Sequence, residues 1–431
     1  MGDPVRAIRA VGRNLAFETG IRVGLSLCAR LLLGYLGGLP TTALSVNASI
    51  AFLLSAVLEL PAGMLADTFG ARRSVHLGYA CQAAASLSLF GAIALRAGSP
   101  WIMWLLIVAE AVFDAVGNSL LSGARESAYQ GAVEASLEGA TGAEKTDLRR
   151  KYLLLAEAYG RRALVAVPLA LTAIVLWLDA HGGRGHLGLL LVVACWLLLD
   201  RQFQGMPAGP VNGVRPDWAV EARRCLAQLR GHGGEFAAAS FCWMVNRFAF
   251  ITVTSYFAVA VIKDEALWPA RTPAAPAMLL TAAFLAGRVA RSFVLPFLAK
   301  SQSSARLITG GAAAQALLAA AVLAGSRFSG PAYLGLAAVA LAAYDICAGT
   351  IERPSLGLIL EAVPEKIRAS FLSMLSMCVL AAQGAYSLYL AAHGRGLPSV
   401  RGIWLITLAS GVLILASRLK RAKLPLEAAL G

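Results

Sequence analysis

Charged side chains stand inside stretches of this chain that are otherwise apolar. Arg22 and Arg30 interrupt one such run, Glu59 a second, and Glu110 with Asp114 a third. Later runs carry Arg247, the pair Arg288 and Arg291, and Asp345. At the centre of a membrane helix each charge costs about 2.5–3.5 kcal/mol on insertion scales, so such residues face a cavity or pair with one another. Glu110 and Asp114 are four residues apart and share a helix face. Two carboxylates that close resist ionising together, which makes the pair a candidate proton site, with Arg30 as an alternative partner for Asp114. Guanidinium forks bind carboxylate or phosphate. Arg22 or Arg30 from the first run and Arg247 from the seventh are therefore candidates for gripping an anionic solute. The competing reading pairs each arginine with Glu59, Glu110, Asp114 or Asp345 for structure alone.

Other chemistries find no support. The seven cysteines are scattered with no C-x-x-C, and the five histidines have no ligand spacing, so neither a metal site nor a cofactor is expected. No P-loop motif is present. No nucleophile–base–acid set suggests an enzyme. Trp101 and Trp104 read as an interfacial belt. The aromatics of the seventh run, Phe241, Trp243, Phe248, Phe250, Tyr256 and Phe257, read as lipid-facing packing or as cavity lining.

The elements that must position these residues are membrane helices. Of 431 residues 58% are hydrophobic and only 14% charged, where soluble proteins carry roughly 25% charge. A bilayer crossing takes about 20 apolar residues. Twelve candidate spans follow, near 15–37, 42–62, 74–96, 100–123, 161–179, 186–200, 236–262, 274–298, 305–326, 331–351, 368–392 and 400–418. The sixth is short and is expected to extend into Asp200–Gln204 or to tilt little. The net charge of +14 does not indicate nucleic acid, because the basic residues concentrate on alternate loops. With the N-terminus inside, 26 Lys and Arg fall on cytoplasmic segments and 7 on outer ones, the positive-inside pattern. The polar, Pro- and Gly-bearing stretch 201–234 divides residues 1–200 from 235–431, a linker between two six-helix bundles. An internal repeat supports the division: Pro61–Asp67 closes span two as Leu295–Lys300 closes span eight, and span four ends at Gly117–Glu126 as span ten ends at Cys347–Pro354.

Between spans two and three lies Gly63-x-x-x-Asp67-x-x-Gly70-x-Arg72-Arg73, which reads as a tight charged loop with Gly70 at its turn. This loop resembles the signature of the major facilitator superfamily of transporters. Ser122–Tyr129, ending helix four, and Val363–Ser373, opening helix eleven, are similar to the drug-exporter-like members. The chain departs from the family pattern at Thr68, and it lacks the group's Arg-x-x-x-Gly and antiporter signatures. The resemblance implies an all-α polytopic membrane protein with 12 transmembrane helices in two six-helix bundles around a central cavity. It also implies a gating role for Gly63, Asp67, Gly70, Arg72 and Arg73, with Glu126 as the partner of the arginines. Asp67 would meet the start of span eleven.

The function expected is secondary transport by alternating access: ion-coupled export of a small organic molecule, with protons as a candidate partner. The alternative is import or exchange of an organic anion through the intramembrane arginines. A non-transporting receptor is the reading from a different class. The chain is expected as a monomer in the bilayer of a bacterial inner membrane, with both termini cytoplasmic. A reporter fused after Arg230 should therefore be active only on the cytoplasmic side, and activity outside the cell would overturn the topology.

Overall fold

A backbone inside a bilayer has no water to satisfy its polar groups, so long apolar runs must form helices. The computed structural model describes residues 36–40, 42–69, 71–136, 166–204, 234–264, 274–325, 330–362, 368–393 and 397–430, with a few isolated residues in 14–21 and 220–227. Its regular elements there are helical. They are α1 Ala43–Phe69, α2 Ala71–Ala94, α3 Pro100–Ser136, α4 Ala166–Ala180, α5 Gly188–Gln204, α6 Gly234–Lys263, α7 Ala274–Ser301, α8 Ser304–Gly325, α9 Gly330–Ala362, α10 Arg368–Ala392 and α11 Val400–Leu430. A short 3-10 turn at Gly185–Leu187 leads into α5. Nine of the described helices are long and apolar enough to cross a membrane. The protein is an integral membrane protein. Arg22 and Arg30 lie outside the described residues.

Three local expectations are corrected. The stretch from Pro61 to Phe69 is not loop: α1 runs through Pro61, and only residue 70 separates it from α2. Span ten does not end near Pro354, because α9 continues through it to Ala362. Proline removes one backbone donor, but a single freed carbonyl is tolerable in a helix that neighbours support. The aromatics of α6 are not mainly lipid-facing. Trp243, Phe250, Tyr256 and Phe257 are buried, and Phe241 is exposed.

The chain divides into two compact units, one of Met1–Trp218 with Gly384–Gly396 and one of Ala219–Gln383 with Leu397–Gly431. In the first unit α2 packs along α3, α1 along α3, and α2 along α5. Ala43, Ala92, Met103 and Ile107 form an apolar cluster there. Tyr79 of α2 stacks on Trp196 of α5 with ring centroids 5.6 Å apart. In the second unit α8 packs along α9, α7 along α9, and α8 along α11. One apolar cluster joins Phe236, Trp243, Ile359 and Phe371, and a second joins Cys242, Ile308, Ile351 and Ile414.

The same three pairings thus recur inside each unit, as an internal repeat requires. A shared sequence device accompanies them. Gly78-x-x-x-Gln82 lies on α2 and Gly311-x-x-x-Gln315 on α8. A Cβ on Gly78 would meet Leu121 of α3, and one on Gly311 would meet Thr350 of α9. The buried glutamine one turn later then bonds to a neighbouring helix, Gln82 to Asp114 and Gln315 to Thr407 and Ser410.

Where α7 crosses α9, backbone meets backbone. A Cβ on Gly287 would sit 2.5 Å from the Ala342 carbonyl oxygen and 2.8 Å from its Cα. Backbone cannot rotate away, so the helices must part. Gly287→Ala should lower stability by about 1–3 kcal/mol, the scale of overpacking, read as an earlier thermal melt in detergent. Gly310→Ala is the control, since nothing lies within 4 Å of a Cβ there, and it should be neutral or slightly stabilising. Equal melts for the two variants would contradict this packing.

Candidate functional site

In the first unit a polar stripe runs along α3. Glu110, Asp114, Asn118 and Ser122 follow one another at intervals of four, so they lie on one side of the helix. Each meets a partner. Asn47 of α1 donates to the Glu110 carboxylate and also reaches the Ile107 carbonyl at 3.4 Å. Gln82 of α2 donates to the Asp114 side chain and carbonyl, both at 3.2 Å. Asn118 donates to Asp114 at 2.9 Å, and Ser122 to Glu59 at 2.6 Å. Glu110 and Asn47 are buried. Glu110 and Asp114 therefore share a face, as their spacing predicts, but hold different partners.

In the second unit five charged residues converge from three helices. Asp345 and Glu352, seven apart on α9, face the same way. Arg288 and Arg291, three apart on α7, meet them, and Arg247 arrives from α6. Arg247 and Arg291 each place a terminal nitrogen 3.1 Å from a different oxygen of Glu352. Arg291 also lies 4.0 Å from Asp345, and Arg288 3.5 Å from it through Nε. The cluster opens progressively. The Asp345 side chain is 0% exposed, that of Arg288 26% and that of Arg247 40%. Gly349 makes room for this arrangement, since a Cβ there would clash with Arg291 Nε.

Aromatic faces back the arginines. The Arg247 and Arg288 guanidinium carbons lie 5.8 and 5.5 Å from the Phe250 ring centroid, and Arg288 is 5.0 Å from that of Phe284. Such cation–π contacts contribute roughly 0.5–2 kcal/mol. Phe250 stacks on Tyr344, which meets Trp404 edge-on. A buried aromatic train therefore ties the charged cluster to α11.

Of the residues singled out by sequence, Arg247 and Asp345 come together in this cluster, and Glu110 and Asp114 in the α3 stripe. Arg247 is paired with Glu352, an acid outside the four partners expected for it. Arg72 is half-buried and Arg73 exposed. The backbone of Gly63 is helical. The side chains of Asp67 and Glu126 and all of Gly70 lie outside the described residues, as do Arg22 and Arg30. The sequence reading did not place Asn47, Gln82 or Glu352 in a site. Two signals were present: the seven-residue interval from Asp345 to Glu352, and the repeated Gly-x-x-x-Gln.

Glu352 joins two arginines that would otherwise repel. Taking the Glu352 charge away leaves Arg247 and Arg291 facing each other inside a span without a counter-charge, so Glu352→Gln should melt below the parent protein. Adding Arg247→Gln should restore part of the loss, with a coupling of about 0.5–3 kcal/mol. Strictly additive losses in thermal melts of the two single variants and the double variant would contradict the pairing.

No protein-family profile matches the sequence, and no curated protein matches it either. Solved structures do match by shape. The nucleoside transporter NupG is 14% identical with a TM-score of 0.63, over 98% of this chain and 100% of that one. A D-xylose-proton symporter is 14% identical with a TM-score of 0.63, over 95% of each chain. The POT family transporter PepTSo is 10% identical with a TM-score of 0.65, over 98% of this chain and 99% of that one. These likenesses span essentially the whole chain, and the fold they share with it is the twelve-helix fold of the major facilitator transporters.

Proposed function

We propose that this chain is a secondary active transporter that exports a small organic molecule in exchange for protons, by alternating access of two six-helix bundles. The fold supports transport. The observation that carries the coupling is Glu110: a carboxylate buried in a membrane span, held by Asn47 and one turn from Asp114. A carboxyl placed so is costly as an unpaired anion and is suited to carrying a proton. Export, and kinship with the drug-exporter-like members, rest on the likeness of Ser122–Tyr129 and Val363–Ser373 to that group, added to the Gly63–Arg73 loop. In that loop Asp67, Gly70, Arg72 and Arg73, with Glu126, form the gate in this reading. The remaining parts of the proposal are residence in a bacterial inner membrane, cytoplasmic termini and a monomeric state.

One observation favours the second reading, an organic anion as cargo: arginines outnumber carboxylates in the second unit's cluster.

The coupling is tested in proteoliposomes with a solute that stabilises the purified protein in a thermal-shift screen. Glu110→Gln keeps the shape and its bond to Asn47 but cannot ionise. It should retain solute counterflow while losing accumulation driven by a pH gradient, by tenfold or more. Gradient-driven accumulation at the parent rate would sink the assignment of Glu110.

A further inference from the structure

Among the described residues the charged cluster of the second unit does not balance. Arg247, Arg288 and Arg291 bring three positive charges, while Asp345 and Glu352 bring two negative ones. A net positive charge left inside a membrane span is unfavourable unless a counter-charge joins it. The pairings show where that charge is needed. Both oxygens of Glu352 are taken by Arg247 and Arg291 at 3.1 Å. Arg288 is the member left over. Its one ion pair among the described residues is the 3.5 Å approach of Nε to Asp345, and that nitrogen makes no hydrogen bond there.

Arg288 is nonetheless held in place. The rings of Phe250 and Phe284 lie against its guanidinium, and both phenylalanines are buried. Its side chain is partly exposed, as is that of Arg247, which shares the Phe250 ring. The site therefore offers a fixed planar fork, backed by aromatic faces and open at its end, beside a second partly open arginine. A guanidinium so prepared binds a two-oxygen anion with little further loss of side-chain freedom.

We propose that Arg288, with Arg247 beside it, binds the carboxylate of a singly charged organic acid, and that this class of molecule is the transported solute. The assignment rests on the transport reading above only for the word transported; the binding site stands on the cluster alone. One negative charge neutralises the excess of one. A doubly charged group such as a phosphate monoester would overshoot it. A neutral isostere would leave the excess in place.

The test uses the full chain purified in neutral detergent at pH 7.5. The probes are benzoate and butyrate, each beside its amide, together with phenyl phosphate. At least one carboxylate should raise the melting temperature in a saturable way, and its amide should not. Arg288→Gln should weaken the apparent affinity tenfold or more, and Arg288→Lys, which keeps the charge but not the fork, should weaken it less. Both variants must elute as the parent does. If Arg288→Gln does not fold, the Lys variant and the carboxylate–amide comparison carry the test. No shift with either carboxylate, equal shifts with acid and amide, a stronger shift with phenyl phosphate, or an affinity indifferent to Arg288 would each overturn the proposal. A further arm adds phosphatidylglycerol. An Arg288-dependent shift with that lipid but with neither carboxylate would assign the site to a lipid headgroup and reject the solute. Proteoliposome uptake separates the two readings. Carboxylate binding without uptake leaves the site and removes the transport role. Uptake of a neutral or cationic solute with no carboxylate binding keeps transport and removes this inference.

Discussion

A charge inside a bilayer must find a counter-charge or a polar partner, and this constraint organises the molecule. Water screens surface charges and makes their pairing worth little. A span offers no such screening. The two units meet the constraint differently. In the first, acids on α1 and α3 are held by neutral amides and a hydroxyl: Asn47, Gln82, Asn118 and Ser122. In the second, acids on α9 are held by arginines from α6 and α7. Amides stabilise a carboxylate while leaving it able to accept a proton. Arginines answer it with a full opposite charge. In the proposed transporter the first arrangement serves ion coupling and the second the anion site.

Close helix packing makes both arrangements possible. Short polar side chains reach across only where backbones approach, and membrane helices approach through small residues. Gly78 and Gly311 provide this at equivalent places, each followed one turn later by a bonding glutamine. Gly287 and Gly349 do the same around the arginines. The glycines therefore serve the charged residues indirectly, by setting how near the helices lie.

Much of the fold is legible in the sequence, because hydropathy and backbone satisfaction leave few alternatives to helices. The extension of the short sixth span to Gln204 follows from the same logic and is found in α5. What the sequence hides is where a helix outlasts its apolar run. Pro61 and Pro354 look like terminators, yet α1 and α9 pass through them, since helix ends in a bundle answer to neighbours as much as to local propensity. Pairing is also only partly readable. The shared face of Glu110 and Asp114 follows from their spacing. The partner of Arg247 does not, because it depends on how α6, α7 and α9 come together in space. Glu352 looks like a span-end residue until α9 is seen to continue past it.

In the proposed transporter the face of α6 that carries Arg247 changes its exposure between two states. Single cysteines placed successively along Phe236–Lys263 in sealed vesicles, labelled with an impermeant maleimide from either side, measure that change. Positions on the Arg247 face of α6 should label from one side at rest. When a stabilising solute and a pH gradient are applied, their rates should shift severalfold, with label then arriving from the opposite side. A labelling pattern that stays fixed under both would contradict alternating access and leave the charged cluster a static feature of a membrane protein that does not transport.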